Sequence, residues 1–449
     1  MVLLAVTLAV LGVFIAAYVL FALREQFRLY IAAGAALVSF AILVGTGTFV
    51  LSSGTPCALF GYVPSGSPWS VCGEAGYVQW DALGLLFGLL MLSALLHRQG
   101  FFKYVAVRLT RASSGKPLPL FLALSLLTFG LSAFLNSISV MVVMATITIE
   151  ISRATGLSPI PFLLAEISAS NAGGAATFVG DPPNVILGTY LGLGFNDFLL
   201  YAAPLALGAM VAILILFWWM NRKHLAPGST GAVGSAKLPE LPRLDMTALV
   251  PAVAAFVATL VLLAVNASIP LSVGEIGLLG GALALVLTPA IERRDLLVGL
   301  DWEILGFIFF LFLVVGTLRL GGFLDLFARG LEQVGGSNAL LTSSLLLWTL
   351  GLISSVVDNV PLAAVAAPLI ATMSSKQGFP VGSLAYASAV GLDVGGNGTP
   401  IGASANVAGL SVARRLGVAI TWKEYLRQAF PVMIVSLAAA NLVLIAMVH

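Results

Sequence analysis

Two glycine-rich stretches, 222 residues apart, interrupt otherwise apolar runs and limit what this chain can fold into. Gly173-Gly-Ala-Ala-Thr-Phe-Val-Gly-Asp-Pro-Pro-Asn-Val185 aligns with Gly395-Gly-Asn-Gly-Thr-Pro-Ile-Gly-Ala-Ser-Ala-Asn-Val407, and six of the thirteen positions are identical. Other pairs keep the same offset. Phe134-Leu-Asn136-Ser137 meets Val356-Val-Asp358-Asn359, Gly156 meets Gly378, and Gly100–Arg108 meets Gly322–Gly330. After an apparent five-residue insertion, Phe198–Pro204 meets Tyr425–Pro431. Matches that share one offset mark a duplicated structural unit.

The surface of such a chain must suit lipid. Of its 449 residues 59% are hydrophobic and 9% charged, against roughly 25% charged in soluble proteins. This excludes a soluble enzyme, a disordered protein or a nucleic-acid binder, and the net charge of +2 offers no basic field to a phosphate backbone. Three His (His97, His224, His449) and two Cys argue against a histidine-rich zinc centre or an iron–sulfur protein. No metal site and no cofactor is expected, and no P-loop pattern for ATP hydrolysis occurs. At about 20 apolar residues per span, the length allows roughly ten to twelve spans. No Lys or Arg precedes the first apolar run, so residues 1–22 read as a retained span rather than a signal peptide.

Basic residues set the orientation. Arg24 and Arg28, then Lys103, Arg108, Arg111 and Lys116, then Arg222, Lys223, Lys237 and Arg243, then Arg293 and Arg294 mark four loops. Cytoplasmic loops are enriched in Lys and Arg, which places both termini outside. Loop 52–80 is then external, and its Cys57 and Cys72 lie where a disulfide is permitted. They read as a loop staple or two unpaired thiols, with a soft-metal site at the mouth as the alternative. Residues 82–97 run inward and their counterparts 303–318 run outward, the inverted repeat of many secondary transporters. Arg319, Arg329 and Lys376 then fall outside, a mild breach of the rule.

Runs 117–133 and 138–152 are each too short to span and flank polar Asn136-Ser137. They predict a re-entrant hairpin, and 338–375 predicts its counterpart with Asp358-Asn359 at the tip. The next segment of each half is broken, at Ser170–Asn184 between runs 160–169 and 185–195, and at Asp393–Pro400 with Gly402–Asn406. Unwound backbone at membrane depth must line a cavity or be buried in protein, and paired breaks point to a transport site. The expected fold is an all-α polytopic membrane protein with two re-entrant hairpins and two broken helices. Its parts are scaffold helices in 1–97, transport elements in 98–200, and a last span with a cytoplasmic loop in 201–245. Scaffold helices follow in 246–318, then transport elements and a last span in 319–449.

Four acids sit away from loops: Glu166, Asp181, Asp358 and Asp393. An ionised carboxylate at the bilayer centre costs at least ~2.5 kcal/mol, so such acids default to proton or ion coupling. Each also has a structural reading. Asp181 precedes Pro182-Pro183 and can cap the following half-helix, and Glu166 can be a buried hydrogen-bonded acid. Asp358 and Asp393 stand where the first half has Asn136 and Asn171, which predicts one charged and one neutral half-site. Asn136, Ser137, Asn171, Gly173, Thr177, Asn184, Asn359, Asn397, Thr399, Ser404 and Asn406 are the candidate solute-binding residues. They suit a small polyhydroxyl or oxyanion solute, or sodium held by carbonyls.

The paired stretches Ser170–Asn184 and Gly396–Asn406, with Val357-Asp-Asn-Val-Pro361, resemble the ion transporter superfamily. Within it they are most similar to the branch of the arsenical pump membrane protein (ArsB) and the melanocyte P-protein. Sodium/proton antiporters of the NhaD type and divalent anion/sodium symporters are more distant. The resemblance implies a scaffold domain, a transport domain, elevator-type alternating access and commonly a homodimer. Some arsenical pumps of this branch work with a soluble ATPase, for which loop 221–245 is the candidate docking place here. Two departures stand out. Asn136-Ser137 replaces the Asp-Asn of many P-protein relatives, and the Ser-Asn-Thr signature of dicarboxylate symporters is absent from both tips. The expectation is therefore a secondary transporter, not an enzyme, that exports arsenite or antimonite across the inner membrane in exchange for protons. Sodium/proton antiport is the alternative. Organic anion symport ranks last, because the breaks hold no Arg or Lys. A receptor or assembly scaffold explains neither the duplicated breaks nor the buried acids.

Overall fold

A computed structural model describes residues 2–24, 27–46, 77–113, 116–225, 241, 244–288, 290–320, 323 and 338–448. Cys57 and Cys72, most of loops 52–80 and 221–245, and all of the Gly322–Gly330 match except Phe323 lie outside the described residues. Helix is the only regular secondary structure among the described residues.

The helices of the first half are α1 (Val2–Leu23), α2 (Arg28–Gly45), α3 (Trp80–Arg98), α4 (Phe101–Ala112), α5 (Pro117–Ser132), α6 (Ser137–Thr155), α7 (Ile160–Gly174), α8 (Pro182–Leu191) and α9 (Phe195–Asn221). The second half holds α10 (Met246–Ala264), α11 (Val273–Leu287), α12 (Ala290–Val298), α13 (Trp302–Leu320), α14 (Ala339–Ser354), α15 (Asn359–Gln377), α16 (Val381–Gly395), α17 (Ser404–Arg415) and α18 (Trp422–Val448). Among the described residues, 7 helices are long and apolar enough to cross a membrane. Four shorter apolar helices, α5 and α14 among them, accompany these.

The 222-residue offset reappears in the helix ends. α3 and α13, α5 and α14, and α6 and α15 start and stop in register, and α7 and α16 agree to within one residue. Local chemistry explains the shared ends. Asn136 and Asp358 cap α6 and α15 through their side chains. Gly156 and Gly378 close the same helices with φ of 70° and 72°, a left-handed turn that glycine adopts without steric cost.

Helix α5 packs on α7 and α14 on α16, and α8 lies against α15 from the other half. Helix α3 lies along α11 and α2 along α13, a second group of paired helices. On α9 the exposed Leu207, Val211, Ile215 and Trp219 recur every four residues, a stripe suited to lipid.

The breaks are narrower than the sequence predicts. Helix α7 runs through Ser170–Gly174 and α16 through Asp393–Gly395. Only 175–181 and 396–403 interrupt the two long helices. The glycines at these helix ends serve close approach rather than unwinding. A Cβ on Gly173 would strike the carbonyl oxygen of Phe129, and one on Gly395 that of Gly351, again 222 positions on. Gly173→Val is therefore expected to cost about 1–3 kcal/mol by overpacking. Thermal unfolding of the detergent-purified protein measures this, with Gly130→Ala, whose Cβ would meet nothing within 4 Å, as the near-neutral control.

Candidate transport site

Each break is held shut by its own side chains, in the same pattern twice. Thr177 donates to the Ala133 carbonyl, and Thr399 donates to the Ser355 carbonyl at 2.5 Å. Asn184 donates to the carbonyls of Gly174 and Thr177 at 2.9 and 2.7 Å. Asn406 donates to those of Gly396 and Thr399 at 2.7 and 2.9 Å. The donors of these four residues thus satisfy unwound backbone, as a water-poor interior requires. They hold the site, and their donors are not turned toward a solute.

The tips share a role as well. Asn136 accepts from the backbone N–H of Ile138 at 3.0 Å and of Ser139 at 3.4 Å. Asp358 accepts from that of Val360 at 3.0 Å. The residues one position on reach inward. Ser137 donates to Asp181 Oδ1 at 2.5 Å. Asn359 donates to Asp393 Oδ1 at 2.7 Å and to Asp181 Oδ2 at 3.3 Å. One amide therefore joins a carboxylate of the first break to one at the end of α16. Asp181 makes no cap bond to α8, so the capping reading of that residue is not the one realised.

A second link crosses the halves. Asn171 Nδ2 donates to Asn397 Oδ1 at 2.8 Å and to Asn406 Oδ1 at 2.9 Å. Tyr425 on α18 donates its hydroxyl to the Asn397 carbonyl at 3.2 Å. Asn171, Asn184, Asp393, Asn397 and Asn406 are all fully buried. Three oxygens in this centre have no partner among the described residues: Asp393 Oδ2, Asn171 Oδ1 and Asn184 Oδ1. All three are acceptors. Such oxygens can accept a proton, a cation or a hydroxyl hydrogen.

Two predicted residues stand apart. Glu166, fully buried on α7, accepts from Thr148 at 2.7 Å, and its other oxygen has no partner. Among the described residues it shares no hydrogen bond with Asp181 or Asp393, and it sits as a buried hydrogen-bonded acid. Asp358 turns its second oxygen to Ser404, which donates at 2.7 Å, and it faces a separate cavity with Tyr18, Phe307 and Arg28. Arg28 is the residue that sequence reasoning missed. It served there only as a loop marker, whereas its side chain is 14% exposed and reaches Ser404 Oγ at 3.5 Å. The available signal was a lone charge opening the otherwise uncharged run 28–45.

The geometry can be set beside known proteins. A family model described as "CitMHS: Citrate transporter" matches residues 18–391. The chain belongs to this citrate transporter family. An uncharacterized transporter of Mycobacterium tuberculosis is 34% identical over 367 residues, covering 81% of this chain and 85% of that one. The P protein of Homo sapiens is 27% identical over 490 residues, covering 89% of this chain and 57% of the P protein. Among solved structures, the YdaH transporter of Alcanivorax borkumensis aligns with a TM-score of 0.55 at 14% identity, covering 82% of this chain and 85% of that one. The last likeness is one of fold. Together these make the chain a multi-pass membrane transporter.

The two asparagine staples give a direct test. Asn406→Leu removes two bonds to buried carbonyls and one acceptor of Asn171. It is expected to destabilise by about 1–3 kcal/mol per orphaned group, read as a lowered thermal midpoint. Asn184→Leu is expected to do the same.

Proposed function

We propose that this member of the family is a cation-coupled secondary transporter whose coupling centre is Asp181, Asn359 and Asp393. The observation that carries the reading is the Asn359 amide shared between two buried carboxylates. Neither has a cationic partner among the described residues, and a proton is the coupling ion that fits with the least rearrangement. Binding there breaks or remakes the Asn359 bonds, so occupancy is transmitted to the second hairpin tip.

The first reading of the solute is arsenite or antimonite, exported in exchange for protons. It is favoured by the unpartnered acceptors, since arsenite at pH 7 is a neutral trihydroxide that offers three donors. The second reading is an organic anion. Two observations favour it: the family's description, and Arg28 beside Asp358, which supplies the cation whose absence placed this reading last. In either case the chain works in the inner membrane with both termini outside. An inverted repeat moves its transport elements against the scaffold, and two copies assemble. A soluble ATPase on loop 221–245 remains an added option for export.

Flux into proteoliposomes under an imposed proton gradient tests the reading, with arsenite, citrate and sodium as separate arms. Proton-driven movement of one solute, abolished by an uncoupler, is expected. Asp393→Asn is expected to lower the driven rate by roughly tenfold or more, equivalent to about 1.4 kcal/mol, while the protein stays folded. Sodium-dependent alkalinisation with no solute flux would identify a sodium/proton antiporter. Wild-type rates in Asp393→Asn under every gradient would overturn the coupling assignment.

A further inference from the structure

The second hairpin tip has two sides. Asn359 faces the coupling centre. Asp358 faces a small cavity of about 40 Å³, partly open, lined from α1, α2 and α13. Two donors from the first two helices converge on that cavity. Tyr18 lines it, and its hydroxyl is buried with no hydrogen-bond partner among the described residues. A buried hydroxyl left unpaired is costly, so this atom points to a missing acceptor. Arg28 lines the same cavity, with its guanidinium carbon 5.7 Å from the Phe307 ring centroid. Its ion pairs are loose and wet. Asp301 lies at 3.8 Å and Glu303 at 3.5 Å, and their side chains are 42% and 44% exposed. Exposed pairs at such distances neutralise a charge weakly. The facing carboxylate, Asp358, has both oxygens engaged, one by the Val360 N–H and one by Ser404. The rest of the wall, including Phe21, Val356 and Ile401, is apolar.

We propose that Tyr18 and Arg28 form a subsite for the anionic end of the solute, a carboxylate or an inorganic oxyanion. The inference rests on the second solute reading and deepens it by naming the residues that set the solute's charge. The guanidinium fork presents parallel N–H groups that match a carboxylate or phosphate edge, and the phenol adds a third donor. An entering anion displaces the loose pairs with Asp301 and Glu303. Asp358 opposite then selects for a hydroxyl or a protonated group at the far end of the ligand. The charged end is thus held by scaffold helices, while the coupling centre lies behind the hairpin tip.

Anion-dependent thermal stabilisation of the full chain in neutral detergent tests this, with citrate, inorganic phosphate and phosphatidylglycerol micelles as separate probes. Citrate or phosphate is expected to raise the midpoint of the wild type. Tyr18→Phe, which removes a single hydroxyl, and Arg28→Gln are each expected to weaken that binding by roughly tenfold, with Arg28→Lys in between. Should Arg28→Gln fail to fold, Tyr18→Phe decides alone. No shift with citrate or phosphate, an equal shift in the variants, or a shift only with the anionic lipid would overturn the proposal. Failure of the coupling reading shows in proton-driven flux and leaves this binding assay unaffected.

Discussion

Backbone left unpaired in a lipid interior is the constraint from which the site follows. Each break of a long helix frees carbonyls that water cannot reach. The chain answers with one asparagine and one threonine per break, Asn184 with Thr177 and Asn406 with Thr399. Glycines then allow the capped helices to approach until backbones touch, as at Gly173 and Gly395. The polar atoms in the middle of the protein are therefore mostly occupied with one another. Of the carboxylate and amide oxygens of the centre, those left unpartnered among the described residues are Asp393 Oδ2, Asn171 Oδ1 and Asn184 Oδ1.

Charge is distributed with the same economy. Only 9% of residues are charged, and most of these lie at helix ends and loops. Asp181 and Asp393 are held by neutral donors, Ser137 and Asn359. Asp358 is held by a backbone N–H and Ser404. Arg28 arrives from a different helix and completes a cavity on the far side of the same tip. A carboxylate with no adjacent cation and a cation with only loose carboxylates are complementary requirements, set about a single pair of neighbouring residues.

Much of this was legible in the sequence, and the reasons are physical. The repeat offset was visible because duplicated backbone geometry demands the same Gly, Thr and Asn at the same places. Both tips were visible because a polar pair inside an apolar run has few places to go in a membrane. The extent of the breaks was misread, since glycine serves close packing as well as unwinding and only the packed neighbour tells which. The asymmetry of Asn136 and Asp358 was overstated, because an amide and a carboxylate cap a helix alike. The alternative roles of Asp181 could not be separated until Ser137 and Asn359 were seen to claim both its oxygens. Arg28 was hidden for another reason. Its partners lie more than 270 positions away, and no local pattern reports a contact at that separation.

The bond from Asn171 to Asn397 and Asn406 has a mechanical consequence. Its two amide protons tie the helix of one half to the break of the other. Pulling α7 away from the second break would strand two N–H donors and two acceptors in a space that offers no replacement. Carrying both breaks together breaks none of these bonds. The helix of the first half and the break of the second are thus held together as one unit.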